Sequence, residues 1–360
     1  MIQFIKFIAI SLGIVFSGPD ANVSDALVVE TNETISSDSL KLEPHRIQEK
    51  LTHTCGFNHA IDMMKKIDPD YEAKMKFYDE VVLPAIQKEA KARRKSGLQK
   101  RAEVLSIPIV FHIIHKPGQS PGSGENLDDQ TIIDQLETLN EDFSALNPGW
   151  ANIPDRWADI KGNPEIKFCL AEFDPQGNPS TGITRHEYQT VTDANIQSVI
   201  KPATFWPTQD YYNVWTLSIP GTTAAGGVAG YAYLPYPGTP GSNFDGTVLD
   251  YRFTGKGSRT LSHELGHGLG LKHTWGNSGG CGDDDGIADT PAQGANTNSI
   301  TYIPCNGSSW PMGPSTCNSL EHMYINYMDY VPSACRTTFS QGQVDVMRSV
   351  LLGGGPVGQI

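Results

Sequence analysis

Apolar residues are spaced in different ways along this chain, and each spacing predicts a different kind of structure. Phe7 to Phe16 is an apolar run behind a weakly basic start, Met1 to Lys6, and it is closed by Ser17-Gly18 and Pro19-Asp20. The run is too short to span a bilayer comfortably, so residues 1–18 read as a cleaved export signal. From about 20 to 44, Ser, Asp, Thr and Glu dominate without periodicity, which predicts a flexible leader. Between Asn58 and Arg94 the apolar positions recur at three and four. Two helical stretches follow, Ile61–Ile67 and Tyr71–Ile86, with Pro69 between them. The pattern then changes. Ser106 to His115 is β-branched and apolar, as a buried strand requires, and further strands are expected at Ile166–Phe173, Asn213–Ile219, Val228–Leu234 and Thr247–Phe253. Asp128 to Leu146 reads as an amphipathic helix with Ile132, Leu136, Leu139 and Phe143 on one face and Asp128 as N-cap. A short helix is expected from Ser258 to about Leu269. Ser340 with Gln343 forms a capping box that opens a last helix through Leu351. Residues 274–336 show no clear period.

Charge divides the chain in two. Residues 1–101 carry 15 Lys+Arg against 14 Asp+Glu, whereas 102–360 carry 12 against 26. The boundary is a basic run, with seven of the 14 residues from Lys88 to Arg101 being Lys or Arg. In an exported chain this reads as an exposed processing linker. The domain organisation expected is therefore a signal at 1–18, a pro-segment at 19–101 and a catalytic domain at 102–360. An acidic second half excludes nucleic acid as a partner, and no later stretch is long and apolar enough for a membrane span. Cysteines stand at 55, 169, 281, 305, 317 and 335. The last four crowd together, as two disulfides of an exported protein would. Four cysteines permit three pairings. Cys169, inside the apolar run Ile166 to Leu170, is expected to be a buried thiol, and Cys55 stands alone.

The chemistry lies in His263-Glu264-Leu265-Gly266-His267-Gly268-Leu269-Gly270-Leu271-Lys272-His273. Two histidines four apart project from one helix face and can reach one zinc ion, while Glu264 can lean over the metal without binding it and serve as general base and then acid. His273 cannot come from the same straight helix. Gly270 resolves this by taking a left-handed conformation that ends the helix and turns the chain back. Three neutral nitrogens leave one coordination position open, the arrangement of a catalytic zinc site.

These residues and their flanks resemble the pappalysin (ulilysin-like, cytophagalysin) family of metzincin zinc peptidases. His273-Thr274-Trp275-Gly276, the Cys281-to-Pro291 stretch, Asn326-Tyr327-Met328-Asp329-Tyr330, Phe168-Cys169-Leu170-Ala171 and Gly182-Ile183-Thr184-Arg185 all look like family sequence. The resemblance implies a metzincin α/β (α+β) fold. In it a twisted, mostly parallel five-stranded sheet and the active-site helix lie above an irregular, disulfide-stapled lower subdomain, behind a mainly helical pro-segment. It implies that Met328 forms an apolar base beneath the histidines and that Tyr330 donates its hydroxyl to the tetrahedral intermediate. It suggests the bridges Cys281–Cys317 and Cys305–Cys335. The Asp-rich loop fits structural calcium, with Asp285 and Thr290 as first-choice ligands and Asp284 and Asp289 next. Family members often favour a basic residue just after the cut. Arg336, in the stretch expected to wall that pocket, argues against carrying that preference over.

The function expected is a secreted zinc endopeptidase acting on proteins or peptides and made as a zymogen. Cys55 of the pro-segment would then fill the open zinc position as an intramolecular inhibitor. Two other readings stay open: a catalytically silent secreted zinc-binding protein, and an exopeptidase. Asn22, Asn32 and Asn306 stand in glycosylation sequons.

Overall fold

A computed structural model describes residues 53–95 and 104–352, apart from 224–225, 302, 304, 306–309 and 318–320. The expected signal, the flexible leader, Lys100-Arg101 and the three sequon asparagines lie outside these residues. The N-terminal segment opens with a short strand, β1 (His53–Cys55), and continues as helices α1 (Phe57–Ile67), α2 (Tyr71–Phe77) and α3 (Leu83–Lys95), the last two joined by one wide turn at Tyr78–Val82. Pro69 separates α1 from α2, as a residue unable to continue a helix should.

The main sheet is organised around β2 (Leu105–His115), whose residues from Ile109 onward are buried because both faces are covered. After α4 (Asp129–Phe143) come a two-residue strand β3 (Lys161–Gly162), β4 (Ile166–Leu170) and β5 (Ile183–Glu187). The strands β6 (Tyr212–Leu217), β7 (Gly227–Ala232) and β8 (Thr247–Asp250) follow. β4 pairs with the first half of β2 and β5 with the second half, so these two short strands share one place in the sheet. On the other side of β2 lie β6, then β8, then β7. Every pairing in this sheet, to which β3 does not belong, is parallel except β7 with β8. Residues 104–352 thus contribute a mostly parallel sheet five places wide, as expected, and β1 adds a further strand, parallel to β7, along its free edge.

The helices start where local chemistry dictates. The Asp128 side chain accepts from Thr131 N at 2.7 Å and caps α4. Ser340 and Gln343 form a reciprocal capping box on the C-terminal helix (Gln341–Leu351), whose first residue follows β9 (Phe339–Ser340). One large core joins the sheet, the active-site helix (Thr260–Gly268) and the N-terminal helices. Phe57, Met64, Tyr71, Tyr78, Val82 and Ile86 belong to it alongside Val248, Leu265 and Val346. A second, smaller core beneath holds Ile153, Trp157, Tyr324, Ile325, Val331 and Cys335. Both expected bridges, Cys281–Cys317 and Cys305–Cys335, are formed. Cys169 corrects its expectation. It is exposed, because β4 alternates Ile166 and Phe168 inward with Lys167 and Cys169 outward.

Candidate active site

The active-site helix is buried from Leu261 to Gly268, and it presents His263 and His267 one turn apart. Gly270 has φ of +97°, and Leu271 N donates to the Gly266 carbonyl at 2.8 Å, so the chain reverses and returns His273 to the same point. Nδ1 of His263 lies 2.6 Å from the Tyr327 carbonyl and Nδ1 of His267 lies 2.7 Å from the Leu271 carbonyl. A carbonyl can only accept, so Nδ1 carries the proton in both rings and the Nε2 lone pairs point inward. His273 is held by stacking on Trp275, with centroids 4.3 Å apart. Its Nε2 is 3.2 Å from that of His267. Burial drops the His267 pKa to about 3 and holds His263 and His273 well below their ordinary range, so all three rings are neutral at pH 7.

The fourth member is Cys55. Its Sγ lies 3.2 Å from Glu264 Oε2 and 3.5 Å from His267 Nε2 and accepts from Phe57 N at 3.3 Å. The four ligand atoms of Cys55, His263, His267 and His273 lie within 4.8 Å of one another. His263 Nε2 is buried without a hydrogen-bond partner. Two inward lone pairs, one of them orphaned, a third imidazole nitrogen and one thiol make a donor set that fits zinc. Burial and the Glu264 carboxylate push the Cys55 thiol well above its ordinary value, so a cation held by this cluster would be needed to draw out the thiolate. Burial also raises Glu264 to about 8.

Tyr330 donates its hydroxyl to the Cys55 carbonyl at 3.0 Å, and its ring lies 4.9 Å from that of His273. Met328 is fully buried under the helix, where a Cβ on Gly266 would overlap its sulfur. The turn is fixed by Asn326, whose Oδ1 accepts from Met328 N at 2.9 Å and whose Nδ2 donates to Gln343 at 2.7 Å.

The Asp-rich loop divides the four expected calcium ligands. Asp285 is buried, which lifts its pKa to about 7. Its Oδ1 accepts from Thr290 Oγ1 at 2.7 Å, while Oδ2 is buried without a partner. Asp289 points elsewhere: it accepts from Ser340 Oγ and Gly342 N, both at 2.7 Å, at the start of the C-terminal helix. Asp284 is exposed and accepts from Gly286 N.

Three contributors were not anticipated. Phe57, two residues after Cys55, stacks on His267 with centroids 4.3 Å apart. Tyr78 donates to the Gly270 carbonyl at 2.8 Å. Asp142 holds both Arg259 Nε (2.9 Å) and Ser262 Oγ (2.6 Å), anchoring the first turn of the active-site helix to α4. An apolar residue beside the lone cysteine was visible in the sequence. Nothing local marks the other two.

A mostly parallel sheet, a helix carrying two of three converging histidines and a methionine turn directly beneath it define a zinc metalloendopeptidase of the metzincin class. The model of peptidase family M43, described as pregnancy-associated plasma protein-A, matches residues 194–352. The chain belongs to this family, the pappalysins. An extracellular metalloprotease of Colletotrichum graminicola is 30% identical over 69% of this chain and 76% of its own length, and extracellular metalloprotease 1 of Coccidioides posadasii is 35% identical over 68% and 76%. Among solved structures, mature mirolysin of Tannerella forsythia in complex with a cleaved peptide is 35% identical with a TM-score of 0.60, covering 70% of this chain and 93% of that one. A promirolysin variant of the same organism is 30% identical with a TM-score of 0.66, covering 85% and 96%. The match to the precursor covers more of this chain than the match to the mature enzyme.

Proposed function

We infer that the chain is a secreted zymogen in which Cys55 and Tyr330 hold the pro-segment in the cleft, and that its removal frees an endopeptidase. The observation that carries this is the Cys55 thiol placed among three neutral imidazoles and against Glu264. Zinc held by His263, His267 and His273 supplies Lewis acidity to the scissile carbonyl and to an attacking water. Glu264, now occupied by the thiol, would take the proton from that water and pass it to the leaving amine. Tyr330 would donate to the carbonyl oxygen as its charge develops. Once β1 leaves, β7 is a free edge on which a substrate can add as a strand. β1 runs parallel to β7, with His53 opposite Gly227 and Cys55 opposite Gly230. A substrate running antiparallel would present its peptide bonds in the opposite sense.

The proposed boundaries are a signal at 1–18, a pro-segment to about Arg101 and an enzyme at 102–360. Export accords with relatives named extracellular metalloproteases, and among the described residues no helix is long and apolar enough to cross a membrane. Structural calcium is assigned to Asp285 and Thr290, on the strength of the buried, unpartnered Asp285 Oδ2.

Activated wild type, Glu264→Ala and the Cys55→Ala precursor should be compared on casein, with zinc content measured for each. Glu264→Ala should keep zinc and lose about 1,000-fold or more in rate. Cys55→Ala should be active before processing or digest itself. Equal activity of wild type and Glu264→Ala would favour the silent zinc-binding protein. Release of single amino acids without internal fragments would favour an exopeptidase.

A further inference from the structure

Two arginines meet at the start of the active-site helix, and their surroundings differ in one respect. Arg259 is neutralised: Nε donates to Asp142 at 2.9 Å and Nη1 to the Ser333 carbonyl at 2.7 Å. Arg336 is only 8% exposed, and its partners are carbonyls, Val331 O at 3.1 Å from Nε and Arg259 O at 3.5 Å from Nη1. Among the described residues it has no ion pair, and its Nη2 makes no hydrogen bond. Two carboxylates act on it electrostatically, Glu264 and Asp329, and burial still holds its pKa below the ordinary value. Asp329 is taken by Thr297 N, Tyr330 N, Gln293 Nε2 and Thr297 Oγ1. Glu264 faces Cys55. A buried guanidinium with only neutral acceptors is a costly arrangement, and an anion offered to its free fork would relieve it.

The position of this fork relative to the histidines and β7 follows from the topology. Arg259 O accepts from His263 N at 3.2 Å, and Val331 follows Tyr330, so the guanidinium lies within a helical turn of the first histidine. β7 runs antiparallel to β8, with Gly230 opposite Leu249 and Ala232 opposite Thr247. The start of β7 therefore lies at the end of β8. There Arg252 reaches the Thr222 carbonyl at 2.8 Å, and the chain continues through Tyr251–Phe253 toward Arg259. A substrate antiparallel to β7 would bring the residues after its cut to this same end.

We propose that Arg336 selects an aspartate or glutamate immediately after the scissile bond, so that the enzyme cuts proteins on the amino side of acidic residues. This rests on the endopeptidase reading above and names its substrate class. A carboxylate can pair with a fork that is only 8% exposed and so largely shielded from water, whereas a lysine or arginine there would meet a buried like charge. The acidic balance of residues 102–360 opposes such substrates at a distance, but physiological salt screens it beyond about 8 Å, and a direct carboxylate–guanidinium contact is shorter than that.

The test uses enzyme processed from the full-length precursor. Its cleavages of a proteome-derived peptide library are read by mass spectrometry, and kcat/KM is measured on peptides that differ only in Glu, Gln or Lys after the cut. Glu should be favoured over Gln by about 100-fold, with Lys cut least. Arg336→Gln should bring the Glu-to-Gln ratio to about one, and Arg336→Lys should keep part of it. Partial misfolding lowers both rates in one preparation and leaves their ratio intact. Wild type without acidic enrichment, or a preference that survives R336Q, overturns the proposal. Cleavage that is undiminished in Glu264→Ala would instead overturn the endopeptidase reading.

Discussion

His112 shows how one buried ring sets a limit on stability far from the catalytic cluster. It is fully buried, stacks on Trp215 with centroids 5.4 Å apart, and lies 2.9 Å from Asn213 Oδ1 and 2.8 Å from Thr184 Oγ1. Burial drops its pKa from 6.5 to about 3. The unfolded chain therefore takes up a proton first as pH falls. The ring's neutral burial costs nothing in protonation above about 6.5, and stability is then lost progressively down to about 3. The slope for one proton is about 1.4 kcal/mol per pH unit, or about 2 kcal/mol between pH 6.5 and 5. Urea unfolding of wild type and His112→Gln at pH 7.5 and pH 5 should show the variant losing less on acidification by that amount. Gly270 is decided at the same scale. With φ of +97° and the Tyr78 hydroxyl against it, a side chain there would be strained by the backbone and crowded by its neighbour.

At the scale of the element, Asp289 and Asp285 separate two roles that adjacent acids seemed to share. Asp289 caps the C-terminal helix through Ser340 and Gly342, so Asp289→Ala should cost about 1–2 kcal/mol whether or not calcium is present. Asp285→Asn should instead abolish the part of the thermal stability that a calcium chelator removes from wild type. Thermal melts with and without the chelator distinguish these outcomes. The comparison also shows what could be read from sequence and what could not. The histidines, Glu264, the Asp128 cap and the Ser340–Gln343 box rest on contacts a few residues apart, so spacing revealed them. Asp289 and Cys169 depend on a partner strand or helix, and no local pattern announces that. β5, with Thr184, Arg185, His186 and Glu187 in its five residues, lacks the apolar alternation that marks a strand and forms because β2 offers it a free edge. The helical run over 193–204 went unread for a related reason, being short and broken by a wide turn at Ile196–Ile200.

For the whole molecule, the pro-segment is part of the core and not a cord tied across the cleft. Phe57, Tyr71, Tyr78, Val82 and Ile86 are each at most 5% exposed, and Asp79 pairs with the buried Lys272 at 2.6 Å. Each large apolar side chain so buried contributes about 1.5–3 kcal/mol. A single cut in the basic linker leaves all of these contacts intact. The nicked fragments should therefore co-elute in size-exclusion chromatography, part in urea, and remain weakly active until the pro-segment is itself degraded. Elution of a free, active 102–360 fragment straight after the nick would contradict this.

The direction of β1 carries a consequence for how activity arises in a population of molecules. A strand pointing the same way as β7 offers its amide groups back to front to Glu264 and Tyr330, and while it lies there it fills the cleft. No precursor can then open itself. The first cut must come from another protease and later ones from neighbours already opened, so maturation spreads like a contagion. It is slow when molecules are sparse, accelerates as converts accumulate, and has a lag that shortens with crowding of the enzyme rather than with elapsed time.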